Sequence, residues 1–225
     1  SKKPVTPRPH LEWSPEYRKK VVHVPEAKQT LVTVAFPLGA ALSEEAIAID
    51  LLDRTRGYFY YRLVRSLGWA YWASSSVVEQ EGESFFVVSA LLRDHSHRNG
   101  AIDRIFEIAQ TMAGEMQNHW LVRVKRSNIY REFFSSESQS SRAYRLMRNL
   151  RKWGRADAWS EYFKAIRKID IGTIREVSRK VLDKDRAFVM VHTPIAEEED
   201  GKALEPEEDS AEGVYSKKSA KGKWK

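Results

Sequence analysis

The side chains best placed along the sequence to hold a metal ion are Asp94, His95 and His97, which form the short run D-H-S-H. Imidazole nitrogens and carboxylate oxygens at such close spacing are typical ligands of zinc. The run falls between a predicted strand and a predicted helix, where polar residues are expected for structural reasons alone. We therefore predict no metal site in this chain.

The other residue types that carry enzymatic chemistry are absent or scattered. The chain has no cysteine, which excludes disulfides, cysteine-based zinc sites and thiol catalysis. No serine–histidine–aspartate arrangement and no glycine-rich phosphate-binding loop can be recognised. The remaining histidines are His10, His23, His119 and His192. The sequence therefore predicts no catalytic residue in this chain.

Composition and charge limit the possible partners. The 225 residues, 42% of them hydrophobic, suffice for one domain of ordinary size with polar tails. The formal charge of +7 would attract nucleic acid or an anionic membrane. The positive residues are spread over helices that also carry acids, and no known nucleic-acid-binding module is recognisable, so we expect no nucleic-acid partner. The apolar runs are much shorter than the roughly 20 residues that span a bilayer.

Polar segments flank one predicted folded unit. Residues 1–18 contain four prolines and are predicted to form a linker. Residues 196–225 join an acidic block to a basic end without an apolar period, which is typical of a disordered tail. The folded domain is therefore predicted over residues 19–195. Because the chain begins with Ser1 rather than methionine, the sequence is compatible with a missing leader or upstream domain.

Within that unit, hydrophobic spacing predicts the order β-β-α-β-β-α-α-α-α-β. Strands are predicted at residues 21–24, 30–36, 71–78, 84–92 and 187–192. Helices are predicted at residues 43–67 with a break at Gly57, and at 99–122, 124–153, 156–166 and 171–182. Ser43 and Asp170 are predicted helix caps. Residues 84–92 are apolar on both faces and should be central in the sheet, and the order of elements indicates an α+β sandwich.

Four local segments share residue types and order with one known family. They are V-V-H-V-P at residues 21–25 with Q-T-L-V at 29–32, F-P-L-G at 36–39, V-R-S-L-G-W-A-Y at 64–71 with A-S-S-S at 73–76, and I-D-I at 169–171. In this order and spacing they resemble the C-terminal, non-catalytic domain of the M16 metallopeptidases, the pitrilysin or insulinase-like inverzincins. The resemblance covers nearly all of the predicted domain. It implies a mixed sheet covered on one face by helices.

The chemistry of the M16 family lies in its first domain, where an H-x-x-E-H helix binds zinc and the glutamate activates the zinc-bound water. No H-x-x-E-H occurs in this chain. The resemblance therefore implies a domain that has no cofactor of its own and is not catalytic alone. It would act with a zinc-bearing catalytic M16 domain or subunit, in a periplasmic or mitochondrial setting by family analogy.

The family's second domain often supplies an arginine and a tyrosine that hold the substrate backbone near the cleaved bond. Tyr71 matches the tyrosine, whereas Val64 stands at the arginine position of an ungapped match. Arg65 is adjacent, and Arg62 lies one helical turn before Ser66. The resemblance therefore implies Tyr71, with Arg65 or Arg62, as substrate-binding residues.

Aromatic residues cluster around the same segment, and they could line a peptide chamber or form core and subunit contacts. They are Tyr58, Phe59, Tyr60, Tyr61, Trp69 and Trp72.

The leading functional hypothesis is a peptide-binding, chamber-closing half of a zinc peptidase, with the peptide held by addition to a sheet edge. The alternative is a catalytically inactive scaffold or assembly subunit, as in the M16-like core subunits of a respiratory complex. A third hypothesis is a basic adaptor that binds nucleic acid or an anionic membrane through its lysine-rich tail.

Overall fold

A computed structural model of the protein describes residues 17–55, 57–80, 82–134, 138–153 and 155–194. Apart from Tyr17 and Arg18, the predicted linker lies outside these residues, and so does the predicted tail. The interpretation of both ends of the chain therefore stays a prediction.

Five strands form one mixed sheet in the order β1-β5-β2-β4-β3. They are β1 Arg18–His23, β2 Leu31–Ala40, β3 Ala70–Gln80, β4 Glu83–Leu92 and β5 Phe188–Thr193. β5 pairs in parallel with β1 and antiparallel with β2, so the last strand of the domain lies between its first two. The five predicted strands are confirmed, and the two ends of the domain are tied into one sheet.

The end of β2 differs from its prediction. The strand was expected to stop near Phe36, before Pro37 and Gly39, but its pairing with β4 continues to Ala40. A register shift between Pro37 and Gly39 interrupts the ladder, and Gly39 has a φ of 81°. A β-bulge can accommodate a proline, which has no backbone N–H to donate to the sheet, and a glycine with left-handed backbone angles. Neither residue therefore ends the strand.

Six α-helices lie within the described residues, and the two predicted caps are confirmed. The helices are α1 Glu44–Asp53, α2 Arg98–Glu115, α3 Asn118–Phe134, α4 Gln139–Trp153, α5 Trp159–Lys168 and α6 Ile171–Val181. Ser43 Oγ accepts a hydrogen bond from the Ala46 amide at 3.1 Å, and Asp170 Oδ1 accepts one from the Thr173 amide at 2.7 Å. Each side chain satisfies an amide that has no partner inside its helix.

The helix predicted over residues 43–67 is wrong in its second half. α1 ends at Asp53, and beyond the predicted break at Gly57 the chain forms a π-helix, Tyr60–Ser66. Hydrophobic spacing does not distinguish the two kinds of helix over so few residues, since only the hydrogen-bond pattern separates them.

The two long helices predicted over residues 99–122 and 124–153 are three helices. The first stops at Glu115 because Met116 is extended, with φ −67° and ψ 132°. The second is divided into α3 and α4, and Ser138 Oγ accepts a hydrogen bond from the Ser141 amide at 3.1 Å where α4 begins. Serine side chains compete with the helix for backbone groups, and Ser138 does so at the start of α4.

Helices cover one face of the sheet. Alternate residues of β2, β4 and β5 are buried, and Val34, Val88 and Val189 are fully buried in the same core cluster as the apolar residues of α1, α2 and α6. The predicted α+β fold, a mixed sheet covered on one face by helices, is confirmed. Within the described ranges, no helix is long and apolar enough to cross a membrane.

Candidate peptide-binding site

β3 lies at one edge of the sheet, beside β4. The outward backbone groups of an edge strand can pair with another extended chain. Ala70 pairs with Leu92 and Trp72 with Leu91, so Tyr71 sits at a bulge at the start of β3. The Tyr71 side chain is 51% exposed. The predicted substrate-binding tyrosine therefore stands at the beginning of an edge strand.

The connection from the π-helix to β3 is held by backbone hydrogen bonds. The Leu67 amide donates to the carbonyl oxygen of Arg62 at 3.0 Å, and the Trp69 amide donates to that of Leu63 at 3.0 Å. Gly68 has a φ of 66°, a conformation that favours glycine. This turn sets the position of Tyr71 relative to the π-helix.

The cation that lies on the Tyr71 ring is Arg93, which follows β4. Its guanidinium carbon is 4.8 Å from the ring centroid, within the range of a cation–π contact. Arg93 Nε also donates to the Ala70 carbonyl at 3.3 Å, and the Arg93 amide donates to the Trp69 carbonyl at 2.9 Å. Two hydrogen bonds and one ring contact thus hold Arg93 beside the start of β3.

The two arginines predicted from the sequence contact other residues. Arg62 lies 3.6 Å from Glu115 in an ion pair whose side chains are both about half exposed. The Arg65 guanidinium lies over Tyr60, 5.7 Å from the ring centroid. The structure therefore brings Tyr71 together with Arg93. Sequence reasoning missed Arg93 because its proximity depends on the pairing of β3 with β4.

The aromatic cluster divides between the core and the surface. Tyr58 and Phe59 are buried, whereas Tyr61 is 63% and Trp72 is 46% exposed. Trp69 is partly buried and stacks on His97 with a ring distance of 5.2 Å. The buried members belong to the core. That the exposed members line a peptide chamber stays a prediction.

The face of the sheet opposite the helices is uncovered in the described part of the chain. Paired residues of neighbouring strands lie side by side on this face. Trp72 pairs with Leu91, Leu91 with Leu31, and Leu31 with His192. These residues are absent from the buried core and are partly or fully exposed. β4 is an interior strand as predicted, but only one of its apolar faces is covered.

His95 and His23 have hydrogen-bond partners within the fold. His95 Nδ1 lies 3.0 Å from Thr30 Oγ1 and 3.3 Å from Thr193 Oγ1, and His23 Nε2 lies 2.9 Å from the Pro194 carbonyl oxygen. Asp94 accepts a hydrogen bond from the Ser96 amide at 2.8 Å. Among the described residues, no group of three or more histidine, aspartate or glutamate side chains could hold a metal ion.

One carboxyl group has a strongly perturbed pKa. Burial raises the pKa of Asp53 to about 6, and the negative charge of Asp50 adds to this, while a hydrogen bond from Ser75 and the charge of Arg54 act in the opposite direction. Perturbed carboxyl groups often mark catalytic sites. Ser75 pairs with Val88 on the helix-covered face, however, so Asp53 lies away from the uncovered face. We assign Asp53 no role in substrate binding.

The sequence matches one protein family. Residues 1–128 match the family described as the M16 peptidase inactive domain, which is more than half of the 225 residues. The chain therefore belongs to this family, as its sequence resemblance implied. No curated protein matches the chain.

Solved structures share the fold at low sequence identity. A protease from Helicobacter pylori is 18% identical with a TM-score of 0.72, over 86% of this chain and 48% of the protease. An inactive peptidase domain from Bordetella parapertussis is 14% identical with a TM-score of 0.66, over 77% of this chain and 98% of that domain. The periplasmic protease PqqL from Escherichia coli is 10% identical with a TM-score of 0.66, over 81% of this chain and 21% of that protease. This chain thus spans about half the length of the Helicobacter protease.

Proposed function

We propose that this protein is the non-catalytic half of an M16-type peptidase and holds an extended peptide across the start of β3. The observation that carries the proposal is the exposed Tyr71 ring with the Arg93 guanidinium on it, at the first residues of an edge strand. Membership of the inactive-domain family supports the pairing with a catalytic half.

Tyr71, Arg93 and β3 would each bind part of the peptide backbone. The phenol and the guanidinium donate hydrogen bonds to peptide carbonyl oxygens, and the cationic donor forms the stronger bond. The outward amides and carbonyls of β3 extend the contact by strand addition, which depends little on the peptide's side chains. Holding the peptide in one orientation lowers the entropic barrier to its cleavage.

Zinc would be supplied by the catalytic half. The described residues do not fit a zinc site, because no group of three suitable ligands is found among them. This half would therefore bind and orient the peptide and close the chamber, whereas bond cleavage would take place on the partner.

The partnership is tested by native mass spectrometry of the protein purified from its own cells, with zinc determined on the same sample. We expect a stoichiometric complex with a zinc-bearing partner. A partner without zinc would favour the scaffold, the alternative that Val64 at the family's arginine position supports. A zinc-free monomer of the complete natural chain would contradict the peptidase proposal.

The site is tested by substitution in that complex. We expect Tyr71→Phe and Arg93→Gln each to lower kcat/KM for peptide cleavage about tenfold, the loss of roughly 1.4 kcal/mol that one charge-assisted or phenol hydrogen bond accounts for. Arg65→Gln tests the arginine predicted from the sequence against Arg93, since Arg65 is also an exposed arginine that lies over a tyrosine ring. A loss confined to Arg65→Gln would show that Arg65 holds the peptide and that Arg93 does not.

A further inference from the structure

A cavity of about 260 Å³ lies among the helices on the covered side of the sheet. Its lining residues come from α1, α3, α4, α5 and the last part of β3, where Val77 pairs with the buried Phe86. A strand rises about 3.3 Å per residue, so Val77 lies roughly 20 Å along β3 from Tyr71. The cavity is therefore separate from the proposed peptide-binding site.

Four of the residues that line the cavity carry hydrogen-bond donors, namely Arg54, Asn128, Arg131 and Arg148. Asn128 is only 8% exposed, and its Nδ2 has no hydrogen-bond partner among the described residues. A buried donor without a partner costs free energy, and a ligand oxygen that accepts from it removes that cost. Arg131 lies one turn further along α3 and forms no hydrogen bond or ion pair within the described ranges. Asn128 and Arg131 therefore offer donors to a ligand.

The charges around the cavity leave one positive charge without a counterpart. Its described lining residues hold three guanidinium groups and two carboxylates, those of Asp50 and Glu79. Arg54 Nε donates to Asp50 Oδ2 at 2.8 Å, so these two charges compensate each other. The net charge of the lining is therefore +1, which favours a ligand with a single negative charge.

The remaining lining residues are apolar or aromatic. They are Leu42, Ala46, Ile47, Val77, Trp159 and Tyr162. Leu42 has a φ of 66°, which is uncommon for a residue other than glycine, and residues held in such conformations cluster at functional sites. A water molecule takes up about 30 Å³ in the liquid, so the cavity has room for about eight or nine groups of that size. Apolar walls with a few convergent polar groups are typical of small-molecule sites.

We propose that this cavity binds a carboxylate joined to a short apolar group. The Asn128 amide and the Arg131 guanidinium donate to the carboxylate oxygens, and Ile47 and Trp159 are among the residues that contact the apolar group. A free short-chain acid and the C-terminal residue of a peptide both have this chemistry. Neither Tyr71 nor the catalytic half takes part in this binding.

The ligand is tested by NMR titration of the full chain with hexanoate, followed at the Asn128 side-chain amide and the Trp159 indole N–H. We expect saturable shifts with a Kd on the order of 1 mM. Hexanamide lacks the charge and acetate lacks the apolar group, so each should bind at least about tenfold more weakly. Tighter binding of N-acetylleucine than of hexanoate would identify a peptide C-terminus as the source, and the reverse a free acid. The absence of saturable shifts, equal binding of hexanamide, or tighter binding of inorganic phosphate would overturn the proposal.

The two donors are tested by substitution, with the Trp159 indole signal as the probe. We expect Arg131→Gln to weaken hexanoate binding at least about tenfold, since it removes a charge-assisted hydrogen bond. Arg126→Gln is the matched control, because Arg126 is another exposed arginine of α3 and does not line the cavity. Asn128→Leu should also weaken binding about tenfold without lowering the Tm, because it removes a buried donor that has no partner. An equal loss for Arg126→Gln, or a lower Tm with unchanged binding for Asn128→Leu, would overturn the assignment of these residues.

Discussion

α4 and α6 are both amphipathic, but they face in opposite directions. α6 buries Ile174, Val177 and Val181 against the sheet and its neighbouring helices, and its arginines and lysine remain at the surface. α4 exposes Met147 and Leu150 instead. The difference teaches that an amphipathic pattern specifies an apolar stripe without specifying the molecule that covers it. The apolar stripe of α6 is covered within its own chain, whereas the stripe of α4 is exposed in the described part of the chain.

The largest expected effect is the difference in unfolding free energy between a substitution in α6 and one in α4. In the isolated chain, Ile174→Asp should cost more than about 4 kcal/mol of unfolding free energy, because it places an unpaired charge in a fully buried site. Leu150→Asp should change the same quantity by less than about 0.5 kcal/mol, because its side chain is exposed. Urea unfolding of both variants measures the difference. A large loss for Leu150→Asp would mean that the α4 stripe is covered within the chain.

A second prediction concerns Asp53, the last residue of α1. The next residue, Arg54, lines the same cavity as Arg148 of α4. The folded pKa of Asp53 is about 6, above its ordinary value of 3.8, so the folded state binds more protons between these values. Its contribution to stability therefore falls as pH rises from about 4 to 6, by up to about 3 kcal/mol. Asp53→Asn removes this dependence.

The measurement is the unfolding free energy of both proteins from pH 4 to pH 7. The unfolding free energy of Asp53→Asn should rise relative to that of the unchanged protein between about pH 4 and 6. Above about pH 6 the difference should stay constant. A difference that is independent of pH would contradict the raised pKa. Ile174→Val in α6 is the control: because it keeps Asp53, the difference between its unfolding free energy and that of the unchanged protein should not depend on pH.

The smallest expected effects concern the two caps. Asp170→Ala should lower the unfolding free energy, because Asp170 accepts hydrogen bonds from both the amide and the hydroxyl of Thr173. Those bonds lower the pKa of Asp170, so its stabilisation is present at neutral pH and is lost as pH falls below the usual range of a carboxyl. Ser138→Ala should cost less and should show no such loss. Equal costs would contradict the idea that α6 contributes more than α4 to the stability of the isolated chain.

The strands and caps could be predicted because their signals are local. Thr30 to Phe36 alternate in burial as their sequence indicates, and Ser43 and Asp170 act on amides three residues away. Helix ends were less predictable. The extended Met116 and the cap at Ser138 replace backbone hydrogen bonds with other contacts, and an apolar period does not record such local competition.

The candidate site could be predicted only in part. Tyr71 was chosen from the residues around it, and the structure places it exposed at the start of an edge strand. Its role in peptide binding stays a prediction. Arg93 was missed, because it reaches Tyr71 through the register in which Leu92 pairs with Ala70. Arg62 and Arg65 were chosen for their nearness along the chain, and their part in peptide binding stays a prediction.

The sequence by itself determined the class of this protein, since its apolar periods and family segments identify an α+β domain without the zinc-binding motif. Only the tertiary structure decided which face of the sheet stays uncovered, which arginine lies on Tyr71, and which way α4 turns. The physical reason is that these features depend on contacts between residues far apart in the chain. β5 lies between β1 and β2, and Asn149 and Arg145 hold the polar side of α4 against Ala156 and Trp159.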